Sequence, residues 1–254
     1  MSEGSLNFSG KVALVTGGSR GIGRATAELF AQSGAKVVIG DTDPAGSETV
    51  DTIKRSGGEA VFVKTDVSDE SDVKNLIASA MKTYGGLHCA FNNAGVLPPT
   101  VMLAEMDEST FDKTLAVDLK GVFFCMKHEI GQMLQGGGGA IVNTASIAGL
   151  IAEPGISAYV AAKHGVVGLS KAAAVEYANQ GIRIHALAPG LVNTAMTKAW
   201  FDDPNMSAHF VANTPMGRVS QPAEIAGMVL FLCSDLASFT VGQTFVIVGG
   251  YTTH

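Results

Sequence analysis

The chain has 254 residues, 46% hydrophobic and 16% charged, with 23 acidic against 17 basic side chains and a net charge of −6. That composition excludes a disordered chain. With no Lys/Arg cluster, it also argues against a nucleic-acid partner. Cys89, Cys125 and Cys233 lie far apart in apolar runs, so they read as reduced core residues, with no disulfide or metal site expected. Residues Met1 to Asn7 show neither a basic n-region nor an apolar h-region, and no apolar run reaches membrane-spanning length. A cytoplasmic protein with no membrane association is therefore expected.

In chain order, β-branched runs at Lys11–Gly17, Lys36–Asp41, Ala60–Asp66, Leu87–Asn92, Ala140–Ala145, Ile182–Ala188 and Thr244–Val248 read as strands. Helical patterns lie between them at Ile22–Ser33, Ser71–Tyr84, Phe111–Leu134, Ala158–Ala178 and Pro222–Ser234. Continuous apolar strands alternating with helices predict an α/β doubly wound Rossmann fold: a seven-stranded parallel sheet flanked by helices on both faces. Gly136 to Gly139 sits between a helix and a strand and reads as a turn. No repeat or domain boundary is visible, so one domain over residues 1–254 is expected. The segment Ala195–Gln221 is a long connection without clear sheet or helix pairing, and such connections are usually functional, here as a substrate lid.

The first strand runs into Thr16-Gly17-Gly18-Ser19-Arg20-Gly21-Ile22-Gly23. Glycines at 17, 21 and 23 permit a tight turn and close approach to a diphosphate at a helix N-terminus. The second strand ends in Asp41, placed to accept both adenosine ribose hydroxyls, although a turn or helix cap also uses such a residue. Farther on stand Ser146, Tyr159 and, four residues later, Lys163. Positions i and i+4 share a helix face, so the phenol and the ammonium can approach. A unit charge about 4 Å away at an effective dielectric near 20 is worth roughly 4 kcal/mol, enough to bring a phenol from about 10 to about 7. General acid–base catalysis works best there. An amphipathic helix whose lysine reaches solvent would carry the same pair, and the other motifs decide between the two.

Thr16-Gly17-x-x-x-Gly21-x-Gly23, Asp66-Val67, Asn92-Asn93-Ala94-Gly95, Ser146, Tyr159-x-x-x-Lys163 and Pro189-Gly190-x-Val192-x-Thr194 occur in the order and spacing of the short-chain dehydrogenase/reductase family. The resemblance covers residues 7–252 and is greatest to bacterial NAD-dependent dehydrogenases of cyclic and aryl-substituted secondary alcohols. It implies that Ser146, Tyr159 and Lys163 are catalytic, with Tyr159 as acid/base. It further implies that Gly17, Ser19, Arg20, Gly21, Ile22 and Gly23 meet the diphosphate and ribose, and that Asp41 selects NAD. Asp66 and Val67 would flank the adenine, while Asn93 and Gly95 brace the cofactor. Val192 and Thr194 would hold the carboxamide, and Tyr159 and Lys163 the nicotinamide ribose. Ser146, Leu150, Tyr159, Met196 and Trp200 are the expected substrate residues, and no metal is expected. A homotetramer is implied as well, consistent with helices at Phe111–Leu134 and Ala158–Ala178 that carry more apolar and small residues than one sheet-facing stripe requires. The C-terminal strand and the Gly249–His254 tail would add a second subunit contact.

Two positions depart from the family. Val117-Asp118-Leu119 stands where it usually has Val-Asn-Leu, so the fourth catalytic position is Asp118 and a carboxylate would partly neutralise Lys163. Val248 stands where many relatives carry Asp. Three readings remain: NAD-dependent oxidation of an apolar secondary alcohol, an NADPH-dependent 3-oxoacyl thioester reductase, and a non-catalytic dinucleotide-binding regulator. Arg20 favours the second by facing a 2′-phosphate, whereas Asp41 and the acidic balance oppose it. The third has no need of Ser146, Tyr159 and Lys163 together.

Overall fold

In the computed structural model, which describes residues 6–253, seven parallel strands form one sheet in the order β3-β2-β1-β4-β5-β6-β7. They are β1 (Val12–Thr16), β2 (Lys36–Asp41), β3 (Glu59–Lys64), β4 (Cys89–Asn92), β5 (Gly139–Thr144), β6 (Ile182–Pro189) and β7 (Thr244–Ile247). Residues Met1 to Ser5, on which the leader reading rests, lie outside the described residues, as does His254.

Alternation along each strand feeds two cores. Ala13, Val15, Phe91 and Val142 face α1 (Gly21–Gln32), α2 (Gly46–Arg55) and α9 (Pro222–Cys233). Val12, Leu14, Ala90 and Ile141 face α3 (Glu70–Tyr84), α5 (Gly121–Gly136) and α6 (Ser157–Tyr177). Both faces of every central strand are therefore covered, which explains why the strands read as unbroken apolar runs. Strand order reverses between β1 and β4, the position where doubly wound sheets open a ligand crevice at their C-terminal ends.

The structure differs from the sequence reading in three places. Helix α2 was not expected, because its only fully apolar buried side chains are Val50 and Ile53, too few for a clear period. The helix expected at Phe111–Leu134 is three pieces: α4 (Glu108–Leu115), a π-helical turn at Ala116–Lys120, and α5. The segment 195–221, expected as a lid, carries two helices, α7 (Lys198–Asp202) and α8 (Pro204–Ala212), and Val192 bridges Ser220 across its base. Asp203 starts α8 by accepting from the backbone of Asn205 and Met206, with Pro204 at the first position. Helices this short carry too little periodicity to be seen beforehand. The glycines at 136–139 form the turn expected of them, closing α5 through Gly137 at φ 86°. Among the described residues no helix is long and apolar enough to cross a membrane, and none form a group of three or more side chains suited to a metal ion.

Candidate active site

A cavity of about 750 Å³ opens at the C-terminal ends of β1, β2, β4, β5 and β6. Its lining includes Asp41, Asp66 and Val67, the glycine turn, Ser146, Tyr159 and Lys163, and Met196, Trp200, Met206 and Phe210 of the segment 195–221. Its volume lies within the usual range for small-molecule and cofactor sites.

The glycine turn is held by its neighbours. Gly17 has φ 67°, and a Cβ there would lie 2.8 Å from Asn93 Nδ2. Asn93 Nδ2 donates to the carbonyls of Thr16 and Gly17 at 3.2 Å, and Thr16 Oγ1 accepts from the amides of Asn93 and Ala94. A Cβ on Gly21 would lie 3.1 Å from Thr194 Cγ2, on the opposite bank of the cavity. The cradle thus leaves room for close backbone approach by a ligand, as a dinucleotide diphosphate requires. Gly23, expected to bind cofactor, is off the cavity wall: a Cβ there would overlap the Gly17 carbonyl, so this glycine lets α1 pack on the turn.

At the adenosine end, Asp41 Oδ2 accepts from the Ser19 amide at 3.0 Å and Oδ1 from the Asp43 amide at 2.9 Å. Arg20 forms an ion pair with Asp43, a residue the sequence reading missed. The guanidinium offered as a 2′-phosphate partner already has a carboxylate on it. Asp66 Oδ1 accepts from the amide and hydroxyl of Ser68 at 2.9 and 2.6 Å, which fixes the strand end beside Val67. Across the cavity, Thr197 Oγ1 donates to the Val192 carbonyl and accepts from the Thr194 amide, closing the loop after β6.

The reactive end is assembled by three elements. Ser146 follows β5 and caps the turn Ile147–Gly149, its hydroxyl accepting from the Ala148 amide at 3.1 Å. Tyr159 and Lys163 share one face of α6, with Lys163 Nζ 5.3 Å from the Tyr159 ring centre. Lys163 Nζ donates to the Thr144 carbonyl at 3.0 Å and pairs with Asp118 Oδ1 at 3.1 Å. Of its three N–H bonds, one is left for a ligand hydroxyl. The π turn delivers Asp118 from a helix that would otherwise carry it elsewhere. Its carboxylate also accepts from the Val96 amide, and a Cβ on Gly95 would lie 2.6 Å from Oδ1, so only glycine fits there.

These contacts reverse one expectation. Tyr159 lies above the ordinary phenol value, not below it: burial raises it, Lys163 and a hydrogen bond with Ser146 lower it, and Asp118 raises it again. Asp118 is itself raised above its ordinary value by burial, against the pull of Lys163. Burial works against the charge on Lys163, but the neighbouring Asp118 and Tyr159 keep its ammonium above its usual value. Leu150 is the second correction. The turn ends at Gly149, which backs onto the Lys163 carbonyl, and the chain leaves with Leu150 38% exposed and outside the cavity, whereas Ile147 lines it. Apart from Leu150 and Gly23, every site residue named from sequence lines the cavity. Glu153 and Tyr251 line it too, without having been expected.

A family profile described as Enoyl-(Acyl carrier protein) reductase matches residues 17–252. The chain is 46% identical over 250 residues to a cyclohexanol dehydrogenase of Acinetobacter sp. (strain SE19), covering 98% of each chain. It is 42% identical over 248 residues to a 2,5-dichloro-2,5-cyclohexadiene-1,4-diol dehydrogenase of Sphingobium indicum (strain DSM 16412 / CCM 7286 / MTCC 6364 / B90A), covering 97% of this chain and 98% of that one. The crystal structure of levodione reductase superposes with a TM-score of 0.93 at 36% identity, covering 97% of this chain and 99% of that chain. The chain belongs to the short-chain dehydrogenase/reductase family, and is an oxidoreductase of the kind that uses a nicotinamide dinucleotide.

Proposed function

We propose that the protein interconverts an apolar cyclic or aryl-bearing secondary alcohol and its ketone, with NAD(H) as cofactor and Tyr159 as the acid/base. One observation carries this reading: Asp41, the glycine turn and the Ser146–Tyr159–Lys163 cluster line one and the same cavity. When bound, the cofactor supplies the hydride acceptor or donor at its nicotinamide ring. In alcohol oxidation Tyr159 takes the hydroxyl proton, Ser146 holds the oxygen that loses it, and Lys163 stabilises the phenolate while offering its free N–H to the nicotinamide ribose. Asp41 would accept from the adenosine ribose hydroxyls, Asp66 and Val67 would flank the adenine, and Val192 and Thr194 would hold the carboxamide. Asn93 and Gly95 hold these banks in register.

The resemblance to a cyclohexanol dehydrogenase supports a ring alcohol as substrate. So do Ile147, Met196, Trp200, Met206 and Phe210 on the wall. Arg20, the feature favouring a thioester reductase, is tied to Asp43, which supports NAD over NADP. Residues 195–221 act as the lid, and a homotetramer is supported by Phe123 and Val175, 43% and 80% exposed on α5 and α6. Light scattering that returned one 26.1 kDa subunit would refute the tetramer. The activity is tested with NAD⁺ and NADP⁺ against cyclohexanol, 1-phenylethanol and a 3-hydroxyacyl thioester. Turnover of the ring or aryl alcohols with NAD⁺ is expected, and a preference for the thioester or for NADP⁺ overturns the reading.

A further inference from the structure

Glu153 is out of place on an apolar wall. Of the acidic residues lining the cavity, Asp43, Asp118 and Glu224 have a basic partner, and Asp41 and Asp66 are at the adenosine end, each accepting backbone N–H groups. Among the described residues Glu153 forms no ion pair, and its hydrogen-bond partner is the Tyr251 hydroxyl at 3.4 Å. It stands on the connection between Ser146 and Tyr159, at the substrate end. That connection is anchored where the Val101 amide donates to the Gly155 carbonyl at 2.9 Å.

Tyr251 arrives from the other end of the chain. Gly249 and Gly250, at φ 60° and 92°, form a turn that side chains would strain. A Cβ on Gly249 would lie 2.8 Å from Thr214 Cγ2, and one on Gly250 2.8 Å from Pro215 Cγ. The Met216 amide donates to the Gly249 carbonyl at 3.1 Å. The turn is therefore locked to the end of the lid segment and presents the phenol across the cavity to Glu153. Burial and the nearby carboxylate raise Tyr251, so it remains a neutral donor at physiological pH.

We propose that Glu153 and Tyr251 form a hydroxyl-recognition subsite, so that the preferred substrate is a ring alcohol carrying a second, uncharged hydroxyl, and ring alcohols carrying a carboxylate are refused. A hydroxyl placed between the two side chains donates to the carboxylate and accepts the phenol's single O–H in place of the long 3.4 Å contact to Glu153. The same carboxylate repels an anion. Three of the four basic residues lining the cavity are paired with acids, Arg20 with Asp43, Lys163 with Asp118 and Arg218 in a bidentate pair with Glu224, leaving Lys113 of α4 without an ion pair among the described residues. This inference rests on the ring-alcohol reading above.

The test measures kcat and KM with NAD⁺ for cyclohexanol, the 1,2-, 1,3- and 1,4-cyclohexanediols and 4-hydroxycyclohexanecarboxylate. At least one diol should exceed cyclohexanol in kcat/KM by about tenfold, the worth of one hydrogen bond to a charged group. Glu153→Leu should lower kcat/KM for that diol at least about tenfold more than for cyclohexanol, and through KM. Tyr251→Phe should lower it less, and the near-isosteric Glu153→Gln should raise activity on the carboxylate. If cyclohexanol is oxidised but no diol is preferred, or the diol preference survives in Glu153→Leu, the subsite is refuted and the ring-alcohol reading stands. If no ring alcohol is oxidised, both fall.

Discussion

Lys163 Nζ lies 3.1 Å from Asp118 Oδ1, with the two side chains 2% and 0% exposed. A buried pair of this kind gains little net stability over an apolar one, yet losing one partner strands a charge. Its consequence is electrostatic, because the carboxylate cancels part of the cation that would otherwise lower Tyr159. Asp118→Asn keeps an acceptor for Lys163 and removes that cancellation. The acidic limb of alcohol oxidation should move to lower pH by about one unit, and an unchanged pH–rate profile would show that the carboxylate is electrostatically silent. Asp118→Leu should cost about 3–5 kcal/mol in unfolding free energy, read by denaturant titration.

Tyr159→Phe deletes the ionisable oxygen and keeps the ring. Turnover should fall by at least about a hundredfold, while NADH affinity, followed by fluorescence titration, stays within a few-fold. Because burial holds the phenol above its ordinary value, oxidation, which needs the phenolate, should rise toward alkaline pH. Ketone reduction, which needs the phenol, should hold at neutral pH and below. Near-normal turnover in the variant removes Tyr159 from the mechanism.

Cofactor choice is divided between two carboxylates. Asp41 lines the cavity, where the proposed reading has it meet the adenosine ribose, and Asp43 occupies Arg20. Asp41→Ala should lower kcat/KM for NAD⁺ about tenfold and raise the NADP⁺ to NAD⁺ ratio. Asp43→Asn should raise that ratio by freeing Arg20 for a 2′-phosphate. Ratios unmoved in both variants would locate the selectivity elsewhere.

Beneath the site, Glu129 is buried with one carboxyl oxygen accepting from Asn92 at 2.9 Å and the other unpartnered. Burial pushes its pKa up to about 8, from an ordinary 4.5, against the Asn92 hydrogen bond. Folding therefore takes up a proton between those values. The stability is fully present below 4.5 and is lost as pH rises toward about 8. Glu129→Gln stays neutral and brings a donor to a network in which Asn92 Oδ1 lacks one. Its Tm advantage over the parent should grow from pH 5 to pH 8 and then level off, reflecting a cost on the order of a few kcal/mol. A constant Tm difference across that range would refute a neutral Glu129.

What the sequence determined by itself was local or periodic. Runs such as Val12–Thr16 had to be buried strands, the glycines at 17 and 21 had to admit a close ligand, and helical geometry alone put Tyr159 and Lys163 on one face. Tertiary structure decided everything that depends on which distant side chains meet and how much water remains. It brought Asp118 from the π turn to Lys163 on α6, gave Arg20 to Asp43, and set Tyr251 beside Glu153, 98 positions earlier in the chain. It also reversed the direction expected for Tyr159, because spacing reports the approach of a cation but not the burial that opposes the phenolate. Residue order sets periodicity and turn chemistry; pairing across elements and local dielectric exist only once the sheet and its helices have closed around the cavity.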